Sequence, residues 1–219
     1  MIKIAISSVK KYSSYTLPVI IPSLLESGVP KENIYIFEGG YDERTVGEYE
    51  GVTHIKVANN SFDYTALIDI VENELESEYW FLIHDTCKVG PKFNELVSNI
   101  PEGNPDVVCM LGSNPGTMNI CSYKYTYLRD RYNQILALKN TNYTDEGLLV
   151  AKGVAAAAEN SLQVGSVIYN PHLFSDILSE REPSHYVSNG VNRNVRYFGN
   201  LDLYKYQANY GQWPWVVDL

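Results

Sequence analysis

The sequence predicts an α/β fold with a mainly parallel sheet, and three observations predict it. Short apolar runs rich in branched and aromatic residues alternate with amphipathic helical stretches along the first half of the chain. The segments joining several of these runs are long enough to be crossovers, which imply parallel pairing. One run, Tyr79–Ile83, is apolar at every position, as a strand buried on both faces must be.

The elements follow in order. Ile2–Ile6 is the first strand and runs into the polar stretch Ser7-Ser8-Val9-Lys10-Lys11-Tyr12. From Thr16 to Ser27 the apolar residues Ile20, Ile21, Leu24 and Leu25 form a helical stripe, with Pro18 and Pro22 tolerable only near a first turn, and Gly28 and Pro30 end it. Asn33–Phe37 is a second strand followed by Glu38-Gly39-Gly40, and His54–Ala58 a third followed by Asn59-Asn60. Ser61 can cap a helix whose inner face is Leu67, Ile70, Val71 and Leu75. The Tyr79 strand stops at His84-Asp85, and Gly90-Pro91 turns the chain away.

Beyond that point the pattern loosens. Phe93–Ile100 reads as a short helix, Val107–Leu111 as a buried strand, and Gly112–Gly116 as a loop. Ile120–Leu128, with Tyr123, Tyr125 and Tyr127, reads as an edge strand beside a cleft, and Asn140–Gly147 as a polar loop. A helix over Leu148–Glu159, a strand over Val164–Tyr169, a helix over Pro171–Glu180 and a loop from Arg181 to Gly190 complete the expectation.

Composition bounds the function. A chain of 219 residues buries enough surface for one domain, here divided into a nucleotide-binding half, 1–90, and an acceptor-binding half, 91–219. A net charge of −9 argues against a nucleic-acid or anionic-membrane surface. Three cysteines without C-x-x-C spacing point to neither a disulfide framework nor zinc, and no apolar run reaches the ~18 residues of a membrane span. A soluble, cytoplasmic protein is expected. Eighteen tyrosines supply side chains with an apolar face and a polar tip, suited to sugars as well as to cores.

In a parallel sheet the carboxyl ends of the strands lie side by side, and ligands bind there. Ser7, Ser8, Glu38, Asn59, Asp63 and Asp85 all fall at such ends and are the expected donor-binding residues. Asp85, a carboxylate after a buried strand, suits a divalent cation paired with a phosphate-bearing ligand. No G-x-x-x-x-G-K-[ST], G-x-G-x-x-G or G-x-S-x-G occurs, which excludes a P-loop, a dinucleotide fingerprint and a nucleophile elbow. The loop after the first strand has no glycine, unlike that of a sugar nucleotidyltransferase. Lys10, Lys11 and Arg193 can offset the charge of a departing diphosphate. Tyr123, Tyr125, Tyr210, Trp213 and Trp215 can stack on an acceptor sugar.

The element order and the acidic residue after the fourth strand resemble a GT-A-type glycosyltransferase domain, a nucleotide-diphospho-sugar-binding α/β/α sandwich. More narrowly, IKIAISSVKKYSSYTLPVIIPSLL and WFLIHDTCKVGP are similar to the small amino-terminal glycosyltransferase domain of chlorella-virus enzymes that decorate the major capsid protein. That resemblance implies transfer from a UDP-linked sugar, UDP-L-rhamnose among them, to a glycan or glycoprotein, in the host cytoplasm, with inversion. It also implies Mn²⁺ or Mg²⁺ held by an Asp-x-Asp motif. Here the motif reduces to Asp85 in His84-Asp85-Thr86-Cys87, with His84 placed to orient it and with His185 or His172 as a late second ligand. The family's E-D-x-D-L element aligns with Gly199–Leu203, which leaves Asp202 as the catalytic base, with Asp145 and Glu146 behind it. The alternatives are a nucleotide-sugar-binding module without catalysis and a sugar nucleotidyltransferase.

Overall fold

The computed structural model describes residues 1–61, 64–101, 104, 106–109, 120–140, 167–168, 180–186 and 192–207. Among them an eight-stranded sheet and a four-stranded sheet are formed. The strands of the large sheet are β1 (Ile2–Val9), β2 (Ile34–Gly39), β3 (Thr45–Tyr49), β4 (Val52–Val57), β5 (Tyr79–His84), β7 (Val107–Cys109), β8 (Cys121–Lys124) and β9 (Val167–Ile168). The small sheet contains β6 (Cys87–Val89), β10 (Glu180–Tyr186), β11 (Asn192–Phe198) and β12 (Leu203–Gln207). The helices are α1 (Ser13–Glu26), α2 (Thr65–Glu72), α3 (Phe93–Ser98), α4 (Tyr125–Asp130) and α5 (Tyr132–Ala137).

The large sheet has the order β3-β4-β2-β1-β5-β8-β7-β9. It is parallel through its centre, β4-β2-β1-β5, and again at β7-β9; β3 and β8 join antiparallel. Alternation along the central strands divides the core in two. Ile4 and Ile6 of β1, with Phe81 and Ile83 of β5, pack with Leu17, Ile20, Ile21 and Leu24 of α1 and with Phe93 of α3. Ala5, Trp80 and Leu82 pack on the other face with Leu67, Ile70 and Val71 of α2 and with Leu128 and Ile135 of α4 and α5. Helices therefore cover both faces, a three-layer α/β/α arrangement around a sheet with a parallel centre, as expected.

Several expectations are corrected. Helix α1 begins three residues earlier than expected, at Ser13, and carries both Pro18 and Pro22 inside it. Each proline removes one backbone bond, and the fully buried stripe Leu17, Ile20, Ile21 and Leu24 holds the helix against the sheet nonetheless. Strand β3 was not expected. It forms a hairpin with β4 through Glu50-Gly51, both at positive φ (51° and 81°), the two-residue turn whose twist matches paired strands. Ile120–Leu128 is not an edge strand: β8 lies between β5 and β7, and Tyr125 already begins α4. Arg181–Tyr186 belongs to β10 rather than to a loop. The expected elements over 141–166 and 171–179 lie outside the described residues.

Candidate functional site

Strand β1 sits where the topology reverses: β2 lies on one side of it and β5 on the other. Crevices at such switch points, outside the carboxyl ends of the strands, are where open α/β sheets take ligands. Here the crevice is bridged by one side chain. Asp85 follows β5, and its Oδ2 accepts hydrogen bonds from the Ser8 hydroxyl of β1 at 2.7 Å and from the Thr16 hydroxyl of α1 at 2.8 Å. Its backbone N–H donates to Ser7 O at 3.1 Å, extending the β1–β5 ladder by one residue. Asp85 is buried, and burial pushes its carboxyl above the usual range against the opposing pull of Ser8, Thr16, Lys205 and His84.

A second buried carboxylate stands one strand away. Glu38 of β2 pairs in register with Ser8 and lies 2.6 Å from His54 Nε2 of β4. Burial works to raise the Glu38 carboxyl, but hydrogen bonds from His54, Ser13 and Tyr41 outweigh it and hold it below the usual range. Tyr41 is pushed up to about 12 by burial and by the Glu38 carboxylate. Ser13 and Thr16 are three residues apart on α1 and share a helix face, so the first turn offers one hydroxyl to each carboxylate.

Beside these groups opens a cleft of about 410 Å³ lined by Val9, Lys10, Lys11, Gly39, Gly40 and Asn60. Its walls meet because Gly39 has no side chain: a Cβ there would come within 2.7 Å of Asn59 O. Lys10 donates its backbone N–H to Gly39 O at 3.0 Å, and its ammonium lies over the Tyr41 ring at 4.8 Å. Lys56 lies over the same ring at 5.0 Å. The rim is locally basic on a chain of net charge −9.

The other expected residues are distributed as follows. The Ser7 hydroxyl accepts the Ala66 N–H at 3.3 Å and so anchors the start of α2. Asn59 donates to the Ser61 hydroxyl at 3.3 Å, and Ser61 donates to Leu138 O at 3.1 Å, which replaces its expected capping role. Tyr123 and Tyr125 are core residues, so they do not present faces to an acceptor. This is a correction: Tyr123 lies on the interior strand β8, and Tyr125 begins α4, which packs into the core on the α2 side of the sheet. Asp63, Asp145, Glu146, His172, Tyr210, Trp213 and Trp215 lie outside the described residues. His185 is placed by backbone register on β10, opposite Arg193, and β11 and β12 separate it from β6.

Asp202 is buried at φ 50° after a 3-10 turn, and the chain continues from it into β12, not into a helix. Its Oδ2 accepts the Lys92 N–H at 3.0 Å, and its backbone oxygen accepts the Gly90 N–H at 2.6 Å. Only glycine fits at 90, since a Cβ there would lie 2.3 Å from the Asp202 carboxylate.

Three features were not expected from the sequence. Thr16 donates to Asp85, Tyr41 bonds Glu38 from three residues further along the chain, and Lys205 bonds Thr86 with its charge bearing on Asp85; nothing local marks Thr16 or Lys205, which arrive from other elements. Among the described residues no group of three His, Cys, Asp or Glu side chains is placed to hold a metal ion. Asp85 alone does not make a metal centre, because a hard cation takes six or more oxygens and this carboxylate spends one oxygen on two hydroxyls. Among the described residues no helix is long and apolar enough to cross a membrane.

No protein-family model matches the chain, and no curated protein does. Among solved structures, the crystal structure of S. aureus TarS 1-349 is similar, at 12% identity and a TM-score of 0.42, over 64% of this chain and 56% of that one. The chain therefore spans little more than half the length of that structure, and a likeness at this level carries no argument about function. No comparison supports a relation to the chlorella-virus enzymes.

Proposed function

We propose that the chain is a glycosyltransferase that takes a sugar from a nucleotide-diphospho-sugar, UDP-linked by the resemblance, and passes it to a glycan or glycoprotein. The observation that carries this reading is the Ser8–Asp85 bond across the switch point, with a basic cleft opening beside it. In the proposed complex the nucleoside lies along the ends of β2 and β4 near Glu38, Asn59 and Asp63, and the diphosphate lies toward Lys10 and Asp85. The anomeric C–O bond breaks with its electron pair passing to the diphosphate oxygen, and the acceptor oxygen forms the new bond. The acceptor proton goes to a carboxylate, for which Asp202, Asp145 and Glu146 are the proposed candidates. Among the described residues no group of three His, Cys, Asp or Glu side chains is placed for the Mn²⁺ or Mg²⁺ that the resemblance implies, so in the proposed complex the lysines of the site offset the charge of the departing diphosphate.

One observation favours the second reading, a binding module without catalysis: the Asp202 carboxylate is occupied by the start of α3. Release of nucleoside diphosphate from a panel of UDP- and GDP-sugars separates the two. Turnover that Asp85→Asn reduces about 100-fold or more, the scale of one lost charge-positioning group, supports the transferase. Binding of the same sugars with no release supports the module.

A further inference from the structure

Lys205 is absent from the expected site, yet the fold brings it there. Pairing of β12 with β6 sets Lys205 opposite Cys87, two residues past Asp85. Its ammonium donates to the Thr86 hydroxyl, and its charge bears on the Asp85 carboxylate. An ammonium has three donors, and among the described residues this one makes a single hydrogen bond, to a neutral group. The backbone register also aligns Arg196 of β11 with Lys205, and Arg181 of β10 with Arg196. Three basic positions thus form one cross-strand row ending beside Asp85. Among the described residues no group of three His, Cys, Asp or Glu side chains is gathered there to hold a metal.

We infer that Lys205 is a diphosphate-binding residue, and that this site binds a nucleoside diphosphate without a divalent ion. The inference rests on the donor-site reading and deepens it. The lysine supplies the positive charge that an Asp-x-Asp motif would otherwise recruit as a metal. Its stem is half-buried against β6, so the ammonium is held near Thr86 rather than sweeping through solvent.

The test is calorimetric titration in EDTA of UDP, GDP, their nucleosides and inorganic pyrophosphate. The proteins are the wild type, Lys205→Met, which keeps the stem, and Lys205→Arg, which keeps the charge; thermal melts confirm that each is folded. Expected is binding of a nucleoside diphosphate and of pyrophosphate by the wild type. The Met variant should weaken both about tenfold or more, the Arg variant should retain most of the affinity, and nucleoside binding should be unchanged. Equal binding of a nucleoside diphosphate by wild type and Lys205→Met overturns the inference and leaves the donor site standing. Binding that appears only when Mn²⁺ replaces EDTA does the same. Lys205-dependent binding of pyrophosphate with no nucleotide bound supports the lysine's role and overturns the donor reading. No binding of any of these ligands, with or without Mn²⁺, overturns both.

Discussion

Asp85 and Glu38 are neighbouring buried carboxylates with opposite leanings. The Asp85 carboxyl is raised by burial from 3.8, so between that value and its higher folded value the folded state holds the extra proton and stability falls as pH rises. At neutral pH its charge opposes folding. Asp85→Asn, which still accepts from Ser8 and Thr16, is expected to melt higher than the wild type at pH 7, with the difference vanishing below pH 3.8; a lower melting temperature at pH 7 would contradict this. Glu38 is lowered from 4.5, so its contribution is present above that value and is lost as pH falls through the lower folded value. Glu38→Gln should cost about 1–3 kcal/mol at pH 7 by chemical denaturation, and the gap to wild type should narrow as pH drops below 4.5. A gap independent of pH would refute the assignment.

At the scale of elements, the junction of β6, α3 and β12 depends on one close approach. Asp202 accepts the Lys92 N–H at the start of α3, and Gly90 leaves room for its carboxylate. Gly90→Ala is expected to destabilise by about 2–3 kcal/mol, since backbone or carboxylate must move. Asp202→Ala should cost about 1 kcal/mol through the lost cap. In the double variant the Gly90→Ala cost should shrink, because the group it strikes is gone; strict additivity in urea titrations would show that the overlap is not the cause. The central strand is less forgiving. Trp80 is fully buried, contacts Tyr35 edge-on at 5.1 Å and donates to Leu75 O at 3.0 Å, so Trp80→Ala should cost about 3–5 kcal/mol.

Across the whole molecule, what the sequence showed was what short-range pattern can carry. The apolar runs at Ile2, Ile34 and Tyr79 and their polar ends were legible because a doubly covered parallel strand must be apolar along its length and must stop at the crevice. The Glu50-Gly51 hairpin was not legible, because β3 is an exposed strand without an apolar run and glutamate at positive φ is unusual. Tyr123 and Tyr125 misled because an amphipathic ring serves a core or a sugar equally well, and only the tertiary placement of β8 and α4 decides between them. Thr16 and Lys205 were illegible because they come to Asp85 through tertiary pairing, more than one hundred residues away in the case of Lys205 and Thr86.

The central claim is that a nucleotide-sugar donor binds at the β1–β5 switch point. The most direct measurement is calorimetric titration of UDP- and GDP-sugars into the wild type and a Lys10→Glu variant, which reverses charge on the cleft wall without touching the core. The account predicts saturable binding to the wild type that the variant weakens at least about tenfold. Binding unaffected by the variant, or no binding of any nucleotide sugar with or without Mn²⁺, would contradict it.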